Sequence, residues 1–145
     1  LIVLDASVLI AHLDDSDQHH PRARSLLEAI SGEPWGASNI TLAEALVTPA
    51  RRGHLLEVET ILVGLDVQEV PLGSAAAGRL AEMRAEVGLK LPDCCVLLAA
   101  QDNEAALATF DADLLAAAEK LGIGVAPDPH GTPPVPPDSQ GSGQT

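Results

Sequence analysis

Aromatic side chains are almost absent from this chain: 145 residues contain no tyrosine, one tryptophan and one phenylalanine. Hydrophobic residues nevertheless make up 46%, so the core has to be built from Leu, Val, Ile and Ala. That composition suits helices packed on a small sheet better than an all-β sandwich. Basic residues are scarce too. Eight Lys and Arg stand against 21 Asp and Glu, a formal net charge of −13, which argues against a surface that coats nucleic acid generically. The two cysteines, Cys94 and Cys95, are adjacent; helical neighbours point in different directions, so they read as buried, reduced thiols in a reducing compartment. No apolar stretch approaches the length of a membrane span and no signal peptide is visible, so the expectation is a cytoplasmic protein without a membrane segment. The first residue is Leu rather than Met, which leaves room for a short segment before it.

What is present fits one domain, long enough to bury a core. Apolar runs with β-branched members predict strands at 1–5, 35–38, 66–70, 107–109 and 124–126. Helical spacing predicts helices from Pro21 to about Ser31, from a cap at Asn39 or Thr41 to near Pro49, and from His54 to Leu65. Further helices are expected from about Ser74 to Val87, where Gly88 stops the chain, from Pro92 through Asp102, and from Asp111 to Leu121. His12 to Asp17 reads as a polar turn. Strand–helix alternation implies a parallel sheet with helices on both faces. From Pro127 onward Pro, Gly, Ser and Gln dominate and no periodicity remains, so 127–145 is expected to be a disordered tail outside a 1–126 domain.

Four carboxylates lie in or beside apolar segments: Asp5 at the exit of Leu1-Ile2-Val3-Leu4, Glu44 in Asn-Ile-Thr-Leu-Ala-Glu, Asp93 in Leu-Pro-Asp-Cys-Cys, and Asp111 in Ala-Thr-Phe-Asp. Such placements are costly unless a cation collects the charges. Ligands bind beyond the carboxyl ends of parallel strands; Asp5 and Asp111 each follow a strand, and Glu44 and Asp93 lie on helices that begin at that edge. An all-oxygen donor set suits a hard divalent ion, and such an ion can lower the pKa of an attacking water and steady the leaving oxygen of a phosphodiester.

The segments Leu-Asp-Ala-Ser-Val-Leu-Ile at 4–10, 39–44, 91–100 and Ala-Thr-Phe-Asp-Ala-Asp-Leu at 108–114 together resemble the PIN domain. With the chain length, they look most like the VapC toxins of bacterial type II toxin–antitoxin pairs. The resemblance runs from residue 1 to about 126. It implies a three-layer α/β/α domain with a small central parallel sheet, Mg²⁺- or Mn²⁺-dependent endoribonuclease activity, an RNA substrate, a cognate antitoxin and a homodimer. Carried over by position, the acidic quartet is Asp5, Glu44, Asp93 and Asp111. Asp113 resembles an auxiliary acid of some members, and Ser7 and Thr109 match small hydroxyl positions near the site that orient carboxylates or metal waters. The scarcity of Lys and Arg departs from what RNA binding favours.

Duller explanations compete. Asp111 can cap the helix after it, Asp93 can favour a helix N-terminus, and Glu44 can be a solvated face residue. His12, His19 and His20 suit a polar turn better than a metal, Asp14, Asp15 and Asp17 read as a solvated loop, and Arg51 and Arg52 suit a helix end. Two other functions are weighed against the ribonuclease: a catalytically silent PIN-like module that binds RNA or protein, and another Asp-based phosphohydrolase. A haloacid-dehalogenase-like phosphatase is discounted, because its Asp-x-Asp pattern meets Ser7 here.

Overall fold

A computed structural model describes residues 1–131. Strand β1 (Ile2–Leu4) occupies the middle of a parallel sheet in the order β3-β2-β1-β4, with β2 at Trp35–Ser38, β3 at Val67–Val70 and β4 at Ala106–Ala108. Seven helices complete the described chain: α1 (Ala6–Leu13), α2 (His20–Ala29), α3 (Asn39–Arg51), α4 (Leu55–Gly64), α5 (Ala76–Val87), α6 (Leu91–Asp102) and α7 (Ala112–Lys120). The expected fifth strand shrinks to one parallel bridge between Val125 and Leu107, closed by Leu107 N–H to Gly124 O and Ala126 N–H to Leu107 O, both 2.8 Å.

Strand alternation divides the core into two layers. Val3 and Leu107 join the cluster built by α5, α6 and α7, which includes Met83, Leu97 and Leu114. Ile2, Leu4, Ala37 and Ala108 face the opposite cluster, with Val8 and Leu9 of α1, Leu26 and Leu27 of α2, Ala45 of α3 and Leu62 of α4. The three-layer α/β/α architecture expected from the sequence is therefore present. Seven consecutive residues of α6, Cys94 to Ala100, are buried, because this helix packs against β1, β2 and β4 as well as α3, α5 and α7. Gly36 of β2 sits where a Cβ would lie 2.6 Å from Val70 Cγ2; the Val70 side chain occupies the space that any larger residue would need.

Several boundaries differ from the sequence expectation. Helix α1 was not anticipated: a short apolar run such as 6–11 carries no period that separates strand from helix. The chain turns directly after Asp5, whose carbonyl accepts from Val8 and Leu9. The cap of α3 is Ser38, not Asn39 or Thr41; its Oγ accepts from Thr41 N–H at 3.2 Å. Gly88 stops α5 as expected, in the left-handed conformation at φ 73°. Within residues 127–131, assigned to the tail, Asp128 pairs with Arg22 at 2.6 Å and His130 Nε2 lies 3.0 Å from Ser25 Oγ. The remainder of the expected disordered tail, 132–145, lies outside the described residues. Among the described residues no helix is long and apolar enough to cross a membrane.

Candidate active site

The carboxyl edge of β1 and β4 delivers two residues side by side. Leu4 is in register with Ala108, and Asp5 N–H donates to the Ala108 carbonyl at 2.9 Å, so Asp5 and Thr109 leave the sheet together. Both are buried. The Thr109 hydroxyl donates to Asp5 Oδ2 at 2.7 Å, and the Ser7 hydroxyl donates to the same oxygen at 2.7 Å. The array continues outward. Ser7 Oγ accepts from Phe110 N–H at 3.1 Å, and Thr109 Oγ1 accepts from Asp111 N–H at 3.0 Å. Ser7 and Thr109 thus both hold the same oxygen of the Asp5 carboxylate.

Glu44 is carried by α3 and Asp93 by the first turn of α6, and these helices pack on one another. Burial raises the Glu44 carboxyl above its ordinary value, and the charges of Asp5 and Asp93 raise it further. Asp93 is raised first by burial, then by Asp5 and Asp111, with a smaller push from Asp113, while Lys90 opposes the rise. The five acids singled out in the sequence therefore share one electrostatic neighbourhood. Among the described residues, none of them has a Lys, Arg or His within salt-bridge distance. Such a cluster is destabilising by itself and becomes favourable when a cation enters.

Asp111 does cap α7: its Oδ1 accepts from Asp113 N–H at 2.8 Å and Leu114 N–H at 3.2 Å. The cap engages one carboxylate oxygen and leaves Oδ2 for other work. Among the described residues no three acidic, His or Cys side chains converge into a ready-made ligand group. The fit to a hard divalent ion rests instead on the donor chemistry: oxygen ligands only, Glu44 and Asp93 raised by burial and by neighbouring carboxylates, and no ion pair to any of the five acids among the described residues.

Neighbouring features are excluded from this centre. His12 and His20 stack with ring centroids 6.1 Å apart, and His20 Nδ1 lies 2.8 Å from the Ala11 carbonyl. Asp14 and Asp17 accept from Ser16 and His19 in local turns. Cys94 and Cys95 are free and buried. Burial raises both thiols, Cys94 being further raised by Asp93 and Cys95 by Cys94 and Glu44, so neither is a thiolate nucleophile. Phe110 is a neighbour that sequence reasoning missed. The guanidinium of Arg22 lies 4.3 Å over its ring, and its position between Thr109 and Asp111 was the available signal.

Fold and site define a class: an α/β/α domain whose acidic centre lies at the carboxyl edge of a parallel sheet. Residues 2–120 match the PIN domain family, and the chain belongs to that family. Among solved structures it is similar to VapC20 of Mycobacterium tuberculosis, a sarcin–ricin loop cleaving toxin. That likeness has 21% identity and a TM-score of 0.68, and covers 81% of this chain and 95% of that one. FitAcB of Neisseria gonorrhoeae shows the same identity and TM-score over 90% of this chain and 99% of the other. A toxin–antitoxin complex from Klebsiella pneumoniae gives 23% identity and a TM-score of 0.62, covering 77% and 87%. At these identities the likeness is one of fold. No curated protein matches the sequence.

Proposed function

We propose that the protein is a divalent-metal-dependent endoribonuclease and the toxin of a type II, VapBC-like toxin–antitoxin pair, acting in the cytoplasm. One observation carries the reading: Asp5 raises the carboxyls of both Glu44 and Asp93, which sit on two other elements, and among the described residues none of the three is in an ion pair. Asp5, Glu44, Asp93 and Asp111, with Asp113 as an auxiliary, would hold Mg²⁺ or Mn²⁺. Such an ion supplies charge compensation at the phosphodiester and lowers the pKa of water. The chain's own residues do the rest. Ser7 and Thr109 fix the Asp5 carboxylate, Ser38 and Asp111 set the starts of α3 and α7, and the raised thiols keep Cys94 and Cys95 out of the chemistry.

Charge limits how RNA is held. Arg22, Arg24 and Arg79 are paired with Asp128, Glu28 and Asp102, and Lys120 donates to the Glu86 carbonyl. Among the described residues Arg51, Arg52, Arg84 and Lys90 have no such engagement, so few phosphates can be contacted. Affinity should then depend on RNA shape and on the ion more than on a basic surface.

A cavity of about 350 Å³ between α1, α3 and α4 supports the partner assignment. Its lining combines apolar Ile10, Leu13 and Val58 with four acids, Asp14, Asp15, Glu44 and Glu57, against Arg52 and His54. An antitoxin segment that is amphipathic and basic matches this surface. A second groove, lined by Ile40, Leu72, Leu80 and Leu91, supports the homodimer; light scattering that finds only monomer at all concentrations would remove that part. The activity is tested by incubating purified protein with structured RNA in Mg²⁺, Mn²⁺ or EDTA. Cleavage in the metals and none in EDTA is expected, with loss in Asp93→Asn. Metal-dependent cleavage that survives in Asp5→Asn, Glu44→Gln and Asp93→Asn alike overturns the site.

A further inference from the structure

The segment after the last sheet bridge reaches back across the molecule. Ala126 is fixed to Leu107, and two residues later Asp128 meets α2. Its Oδ2 accepts from Arg22 Nε at 2.6 Å and lies 2.6 Å from Arg22 Nη2, while Oδ1 accepts from His130 N–H at 3.0 Å. The Asp128 side chain is 14% exposed and that of Arg22 27%, so water screens this pair less than the surface pair Arg24–Glu28. Arg22 is thereby held with its guanidinium 4.3 Å over the Phe110 ring, and His19 lies against the same ring at 6.0 Å.

Phe110 is the only phenylalanine in the chain and stands inside the hydrogen-bonded array of the acidic centre. Its N–H donates to Ser7 Oγ, the residue before it donates to Asp5, and the N–H of the residue after it donates back to Thr109. Whatever fixes Phe110 therefore also fixes the donors that orient Asp5 and the backbone that starts α7 at Asp111. We propose that Arg22 and Asp128 are positioning residues for the acidic centre: the ion pair stacks the guanidinium on Phe110 and holds segment 109–111 in register with Asp5. The guanidinium has both the charge and the flat face that a ring contact uses, and its fork meets a carboxylate with directional bonds. Outer partners of this kind commonly contribute about ten- to hundredfold to metal affinity or activity.

The positional claim stands on the protein alone, and its catalytic consequence rests on the nuclease reading. Amide hydrogen exchange at Phe110 and Asp111 in the metal-free, full-length protein tests the first. Asp128→Asn and Arg22→Lys should each raise exchange at those two amides by about an order of magnitude relative to the core of α6, and Asp128→Glu should restore much of the protection. For the second, Asp128→Asn should lower kcat about tenfold with KM nearly unchanged. Exchange at Phe110 and Asp111 that stays at the wild-type level in both Asp128→Asn and Arg22→Lys overturns the proposal, even when melting temperature falls, because the pair would then only fasten the chain end. Faster exchange in a protein whose wild type cleaves no RNA keeps the clamp and sinks the nuclease reading instead.

Discussion

Thr109→Val isolates the interaction that organises the acidic centre. Valine keeps the shape and branching of threonine, so the buried packing beneath β4 is preserved and the change is the loss of one hydroxyl. That hydroxyl donates to Asp5 Oδ2 at 2.7 Å and accepts from Asp111 N–H at 3.0 Å. The second loss is small, since Asp111 is exposed and water can take its N–H. The first is not, because Asp5 is only 7% exposed and a hydrogen bond to a charged group contributes about 1.5–3 kcal/mol. Taking about 2 kcal/mol, the melting temperature in EDTA should fall by about 6–10 °C for a chain of this size. Ser7→Ala removes a bond of equal length to the same oxygen. Ser7 is half-buried, so water can enter, and the cost should be nearer about 1 kcal/mol. Denaturant and thermal unfolding of both variants give the ordering, and single-turnover RNA cleavage gives the consequence for Asp5, a loss of about ten- to hundredfold in Thr109→Val. A Thr109→Val protein within about 0.5 kcal/mol of wild type, with undiminished cleavage, would refute the idea that the two hydroxyls set the Asp5 carboxylate.

Glu44→Gln and Asp93→Asn should abolish Mg²⁺-dependent cleavage yet raise the melting temperature in EDTA at pH 7. Both carboxyls are raised in the folded protein, so their stabilising contribution is complete below the unfolded values and lost as pH rises through the folded ones; a lowered melting temperature in both variants would contradict this. His12 works in the opposite sense: burial, then His20 and Arg24, lower its pKa, so stability is present above about pH 6.5 and lost as pH falls through the folded value. The buried Nδ1 of His12 has no partner among the described residues, and His12→Gln should flatten that acid limb in a pH series of urea midpoints. Gly36→Ala should cost about 1–3 kcal/mol, because the added Cβ meets Val70 Cγ2 at 2.6 Å and Leu1 Cδ1 at 3.2 Å; an unchanged urea midpoint would show that β2 and β3 separate freely.

The layer order of this fold is legible in the sequence because each strand is a short apolar run and each long helix carries punctuation. Gly88 ends α5 and Pro92 opens α6 as backbone chemistry requires. The misread elements lack such marks. Helix α1 follows Asp5 without a side-chain cap, and its apolar residues are too continuous to show a period. Val8 and Leu9 are fully buried against α2 and α3, so tertiary packing decides the conformation there. At the start of α3 three polar residues, Ser38, Asn39 and Thr41, could cap, and which one does depends on where β2 releases the chain. Ser38 is the last residue of β2, so it is the one left with extended geometry and a free hydroxyl.

The acidic residues stand out in the sequence for a local reason: each interrupts an apolar segment, and for Asp5, buried, and Asp93, half-buried, such a charge demands a partner. Their bland and functional readings are compatible once atoms are separated, since Asp111 caps with one oxygen and Glu44 is exposed yet raised by its neighbours. The supporting contacts were not legible, because Ser7 and Phe110 lie 103 residues apart and Arg22 and Asp128 lie 106 apart, and composition carries no distance. Asp128 lies in the stretch that composition assigns to the tail. Pro127 and Pro129 flank it, and proline-rich sequence reads as disorder when it is counted rather than placed. Proline fixes φ and narrows the unfolded ensemble, so ordering this segment costs less entropy than ordering a Gly/Ser stretch of equal length. The missing N–H groups keep 127 and 129 out of a sheet ladder, while Asp128 and His130 between and beyond them remain free to bond α2. A proline-flanked acid just past a sheet bridge thus gives up little entropy in meeting a cation on a neighbouring helix, the position Arg22 holds.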